Sequence, residues 1–156
     1  MTSDNPLKIV HLIKFDRYWG LAQPVAETLE DAYRRLGHGS DSTTVLVPVP
    51  VTRVGRHGIN LPEDIARHLQ HELDIPLIRN VLKRVKRTAR QSRTPHAARA
   101  ANVRGAFACA GSGLAGKRVL LVDDLVTTGA TAAACACAIF AAGAISLEVL
   151  CFARAL

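Results

Sequence analysis

The residues best equipped for chemistry lie in one run, Val119-Leu120-Leu121-Val122-Asp123-Asp124-Leu125-Val126-Thr127-Thr128-Gly129-Ala130-Thr131. An apolar strand ends in two adjacent carboxylates, and a Thr-Thr-Gly-Ala-Thr loop then opens a helix. In open α/β sheets ligands bind beyond the carboxyl ends of the strands. A loop entering a helix N-terminus presents unpaired backbone N–H groups and the positive end of the helix dipole. Gly129 allows close backbone approach, and the threonine hydroxyls add donors. The pattern predicts a site for a phosphate monoester. Two carboxylates facing that anion would repel it, but they fit if they accept hydrogen bonds from sugar hydroxyls, and ribose 5-phosphate combines both features. The bland alternative makes Asp123-Asp124 a solvated strand end and Thr127 a helix N-cap.

A second candidate feature is charge. The 156 residues carry a formal net charge of +7. Residues 75–122 hold 11 Lys and Arg and no Asp or Glu, which leaves 9 basic against 13 acidic residues elsewhere. The centre reads Lys83-Arg84-Val85-Lys86-Arg87-Thr88-Ala89-Arg90-Gln91-Ser92-Arg93. Such a segment attracts nucleic-acid phosphates, surrounds a small polyphosphate, or is a solvated loop.

The elements that must position these residues alternate. An apolar stripe predicts helices over residues 7–18 and 21–36, with Gly37 at the C-cap. Residues 44–47 form a β-branched strand that Pro48-Val49-Pro50 terminates. Pro62, followed by Glu63-Asp64, opens a helix that runs to about Leu73. Residues 75–78 read as an edge strand. The basic segment has no apolar period and reads as a mobile loop with a short helix near 95–101. A short strand over 105–109 and a Gly-Ser-Gly turn follow. Residues 117–122 form a central parallel strand covered on both faces, 130–142 a helix ended by Gly143, and 145–152 a last strand. This order predicts an α/β fold with a mostly parallel sheet.

Composition excludes several classes. Hydrophobic residues make up 49% and charged residues 21%, a globular balance. Aromatics are only 4%, too few for a base-stacking platform. The most apolar stretch, 130–150, contains Gly143 and Glu148 and reads as helix plus strand, not a membrane span. The N-terminus lacks signal-peptide character, so the expected location is cytoplasmic. Cys109, Cys135, Cys137 and Cys151 form no Cys-x-x-Cys pair and read as reduced, small core residues. His68 and His71 could share a metal, but no carboxylate or cysteine pattern accompanies them, and they read as an exposed pair. Tyr18 and Trp19 either cover an acceptor pocket or pack between helices, the commoner use.

The run over 119–131 resembles the phosphoribosyl pyrophosphate signature of type I phosphoribosyltransferases. Leu12-Ile13-Lys14-Phe15, Leu46-Val47-Pro48-Val49-Pro50, Thr88-x-x-Gln91 and Asn102-Val103-Arg104-Gly105-Ala106-Phe107 narrow the resemblance to the ComF-like branch, the competence-protein and GntX type. It spans roughly residues 7–154. Such proteins often carry an N-terminal Cys-x-x-Cys zinc ribbon, which is absent here. They usually show Arg-Gly-Phe-Asn-Gln where this chain has His57-Gly58-Ile59-Asn60-Leu61. In 6-oxopurine salvage enzymes an aspartate general base stands at the position of Thr127, and a threonine cannot take that role.

The resemblance implies a Rossmann-like, mostly parallel sheet flanked by helices, as one domain with a small N-terminal helical hood (1–40) and an α/β core (41–156). It implies an enzyme that displaces pyrophosphate from C1 of the ribose with a nitrogen nucleophile, through an oxocarbenium-like transition state. Asp123 and Asp124 then act as the catalytic pair, holding the ribose hydroxyls directly or through Mg²⁺, an ion expected to be held mainly by substrate. Thr127, Thr128, Gly129, Ala130 and Thr131 cradle the 5′-phosphate. Val51, Thr52 and Arg53 belong to a pyrophosphate loop, with Arg53 its side-chain contact. The basic segment becomes a lid in which Arg84, Lys86, Arg87 or Arg90 reaches the pyrophosphate. The implied partners are phosphoribosyl pyrophosphate, single-stranded DNA or competence proteins, and a second copy of the chain; no membrane is among them. The competing expectation is a non-catalytic module that binds phosphoribosyl pyrophosphate or single-stranded DNA in competence or regulation.

Overall fold

The computed structural model describes residues 9–10, 21–37, 41–51, 60–85 and 105–154. The element order is α1 (Ala22–Arg35), β1 (Thr44–Pro48), α2 (Leu61–Leu73), β2 (Leu82–Arg84), β3 (Phe107–Cys109), β4 (Arg118–Val126), α3 (Ala130–Ala141) and β5 (Ser146–Arg154). Ile9 and Val10 are also helical. The rest of the predicted helix over 7–18, Tyr18, Trp19 and the expected turn of helix near 95–101 lie outside the described residues.

Three parallel strands form the main sheet in the order β1-β4-β5. Val45 pairs with Val119, and Val119 with Leu147, so the apolar run of β4 occupies the centre. Alternation along β4 feeds two apolar layers. Leu120 and Val122 pack with Leu46 and Leu150 against Val25 and Leu29 of α1 and Ile65 and Leu69 of α2. Val119 and Leu121 pack with Val45 and Val47 against Cys135 and Ile139 of α3, and against Leu82 and Phe107 of the β2–β3 pair. Burial on both faces is what a parallel sheet requires. α1 shares the first of these clusters and so forms a layer of the core.

Among the described residues the expected elements appear, with several corrections. β4 runs on to Val126, so Asp123 and Asp124 lie within the strand and not beyond its end. The ladder to β5 carries it there, through the pairs Asp123 with Cys151, Leu125 with Ala153 and Val126 with Arg154. The edge strand expected over 75–78 is a single parallel bridge from Leu77 to Leu46. It is fixed by Leu46 N donating to Pro76 O (2.8 Å) and Ile78 N to Leu46 O (2.9 Å). The start of the basic segment is β2, antiparallel to β3, with Arg84 opposite Phe107; Arg84 therefore stands on a strand, not on a loop. Finally, Cys137 is exposed and not a core residue, whereas Cys135 is buried and all four cysteines are free, as expected.

His68 is also no exposed bystander. Its Nε2 lies 3.1 Å from Glu30 Oε2 and ties α2 to α1, and Arg34 Nη2 donates to the Glu72 carbonyl at 2.6 Å across the same seam. His71 Nδ1 instead meets its neighbour Glu72 at 2.8 Å. No helix among the described residues is long and apolar enough to cross a membrane.

Candidate sugar-phosphate site

The site begins where three features converge on the carboxyl end of the sheet. β1 and β4 run parallel and in register through Pro48 and Val122. Beyond that pair, Val49 N donates to Val122 O at 2.9 Å. The chain leaving β1 through Val51 is thus strapped to β4 at the residue immediately before the carboxylate pair. Proline on both sides of Val49 withholds further ladder donors, so the backbone must leave the sheet here. Thr52 and Arg53 lie outside the described residues.

Asp123 and Asp124 are buried, at 8% and 3% exposure. As neighbours on a strand they leave it on opposite faces. Asp123 follows Val119 and Leu121 toward the α3 layer, and Asp124 follows Leu120 and Val122 toward α1 and α2. Asp123 Oδ1 accepts the Asp124 backbone N–H at 2.9 Å, a charge-assisted bond that fixes the first carboxylate against the strand. Its surroundings include two thiols that the sequence reading missed as neighbours. Burial, and then the Asp123 charge, push Cys135 up to about 12. The same two causes, in the same order, raise Cys151. Cys151 is the ladder partner of Asp123. That placement follows from a β4–β5 register 28 residues apart in sequence, which no local pattern reports.

Between β4 and α3 the chain turns on Gly129, whose φ of +75° is left-handed. Glycine meets no steric penalty there, and any other residue would. A Cβ at this position would meet open space, so the demand is on the backbone alone. No side chain caps α3. Gly129 O accepts the first helical bond from Ala133 N at 2.8 Å, and the Ala130 N–H donates to Thr128 Oγ1 at 3.3 Å. Thr127 and Thr128 are exposed, and Gly129, Ala130 and Thr131 half-buried. The first turn of α3 therefore presents its amides without a capping carboxylate, the arrangement an anion prefers.

The structure places Arg84 near this group. Its guanidinium lies 5.3 Å from the Phe107 ring centroid, a cation–π contact. The Cys135 thiol feels both the Arg84 and the Asp123 charge, so Arg84 stands on the α3 side with Asp123. Lys86, Arg87 and Arg90 lie outside the described residues. Asp123 and Asp124 are the residues able to offer hard oxygen ligands to a divalent cation. Among the described residues no group of three or more His, Cys, Asp or Glu is placed to hold a metal. Two clefts lie elsewhere, one of about 530 Å³ beside Arg67, His71 and Asp74 and one of about 220 Å³ beside Tyr33, Asp41, Arg118 and Glu148.

No family model matches the chain. It is 34% identical over 133 residues to Competence protein F of Haemophilus influenzae, covering 81% of this chain and 58% of that protein. It is 31% identical over 152 residues to DNA utilization protein YhgH of Salmonella typhi, covering 95% and 66%. The chain thus spans less than two thirds of the length of these relatives. Among solved structures it is similar to the glutamine phosphoribosylpyrophosphate amidotransferase of B. subtilis complexed with ADP and GMP. That likeness has a TM-score of 0.53 at 19% identity, over 84% of this chain and 26% of that one. The strand order, the β4–α3 turn and these matches together show that the chain is homologous to Competence protein F and YhgH over most of its length and has a phosphoribosyltransferase-type fold.

Proposed function

We propose that the chain is a phosphoribosyltransferase that moves the 5-phosphoribosyl group from phosphoribosyl pyrophosphate to a nitrogen acceptor. The observation that carries this reading is the β4–α3 junction, where two buried carboxylates precede an uncapped helix N-terminus that turns on a left-handed glycine. The amides and hydroxyls of Thr127, Thr128, Gly129, Ala130 and Thr131 hold the 5′-phosphate. Asp123 and Asp124, near the carboxyl end of β4, accept hydrogen bonds from the ribose hydroxyls. Val51, Thr52 and Arg53 receive the pyrophosphate, and Arg84, Lys86, Arg87 and Arg90 supply positive charge beside it.

The acceptor nitrogen gives its lone pair to C1, the C1–O bond to pyrophosphate breaks, and the nitrogen loses its proton to solvent. No protein nucleophile is needed. Alignment and charge neutralisation supply the rate, and the anchored phosphate and hydroxyls fix C1 between acceptor and leaving group. Mg²⁺, when bound, neutralises pyrophosphate charge. Thr127 stands where an acidic base would serve a 6-oxopurine, so the acceptor belongs to another class.

Isothermal titration with phosphoribosyl pyrophosphate and Mg²⁺ tests the reading. The unsubstituted chain is expected to bind, and Asp123→Asn with Asp124→Asn is expected to weaken binding by about 100-fold, roughly tenfold for each charge-assisted partner lost. Binding unchanged by the double substitution would overturn the site. Pyrophosphate release on addition of nucleobases, ammonia or amines then tests turnover. The names of the relatives favour a second reading, a non-catalytic module in DNA uptake or use. Tight binding of single-stranded DNA that ignores both substitutions, without pyrophosphate release, would establish that reading instead.

A further inference from the structure

β5 is the last strand of the main sheet and, among the described residues, pairs with β4 alone. A long strand with an open margin is a template for another chain, and proteins ordinarily blunt such margins with lysine, proline or a bulge. β5 reads Ser-Leu-Glu-Val-Leu-Cys-Phe-Ala-Arg and contains no Lys, Pro or Gly. Its α3 side adds apolar surface, with Val149 39% exposed and Ile145 and Phe140 exposed where the chain enters the strand.

We propose that a second copy of this chain pairs antiparallel along β5 about a twofold axis at Cys151. The order of charges on the strand argues for this occupant. Glu148 and Arg154 are its only charged residues, both exposed, and each stands three positions from Cys151. Antiparallel pairing centred on Cys151 sets each Glu148 opposite the partner's Arg154, twice per dimer, on one face of the joined sheet. Pairing centred on Glu148 or on Arg154 sets like charges opposite each other, which destabilises. The Cys151 register also lays Val149 against the partner's Ala153 on the α3 side. The contact is isologous, as twofold pairs require. It joins two three-stranded sheets into one of six and leaves both α3 helices on the same face. The proposal does not depend on the sugar-phosphate reading, because no residue of the β4–α3 turn takes part.

Sedimentation of the full chain over a dilution series tests it. The expected result is a dimer that dissociates on dilution. Glu148→Arg and Arg154→Glu are each expected to raise the dissociation constant about tenfold, since both pairs in the dimer turn repulsive, and the combined swap is expected to restore it. A monomer at every concentration, a dimer indifferent to the single swaps, or a combined swap that fails to recover association would each overturn the proposal. Amide exchange of the unsubstituted chain gives a readout free of folding effects. Protection within β5 is expected to rise with protein concentration, and concentration-independent exchange there would overturn the register.

Discussion

Burial decides what each cysteine can do. Cys135, enclosed between α3 and the sheet, has its thiol pushed from 9.0 up to about 12, by burial first and by the Asp123 charge second. The folded chain therefore holds this proton where the unfolded chain has released it. The resulting stability is complete below pH 9 and is lost as the pH climbs toward 12. Unfolding by urea across that range is expected to show a falling limb that Cys135→Ala flattens. Cys137, two residues away and exposed, is expected to react with a thiol reagent at pH 8 in the native state, while Cys135 waits for unfolding; mass mapping of the labelled chain checks the order. Residue type and spacing were enough to single out Asp123, Asp124 and Gly129. Their neighbours were not legible, because Cys151 and Arg84 reach them through strand pairing across distant parts of the chain.

The seam between α1 and α2 shows how elements are held in register. Glu30 bonds Arg34 within α1 at 2.9 Å and His68 of α2 at 3.1 Å. The Arg34 hydrogen bond, then that of His68, overcomes burial and holds the Glu30 carboxyl below its ordinary 4.5. Stability from this group is thus present above pH 4.5 and is lost as the pH falls through the lowered value. Glu30→Gln is expected to cost about 1 kcal/mol at pH 6, the upper range for a partly exposed pair. That deficit should shrink in acid, as urea melts at pH 6 and pH 3 would show. Of the elements, α1, β1, α2, α3 and β5 were legible from apolar period and from Gly and Pro punctuation. β2 was not, since Leu82-Lys83-Arg84 is too short to show a period and draws its identity from Phe107 in β3. The last residues of β4 were hidden for a different reason. Aspartate is depleted in strands, and here pairing with β5 overrides that preference.

At the scale of the molecule, the sheet has unequal margins. The alternation of strand and helix announced the α/β class, but the sheet order and the faces chosen by the two carboxylates came only with the register. On the β1 side the sheet closes with a single rung, the pair of hydrogen bonds that Leu46 makes to Pro76 and Ile78. Inward of it β4 is laddered on two sides, by β1 and β5, and its centre is buried. Cooperative opening begins where the fewest bonds must part, so unzipping should start at this rung. The Ile78 amide is then the early reporter in native-state exchange, losing its proton before Leu121 in the central strand. Among the described residues, the polypeptide around 74–79 is then expected to be nicked early by a protease, which mass mapping of a limited digest would show.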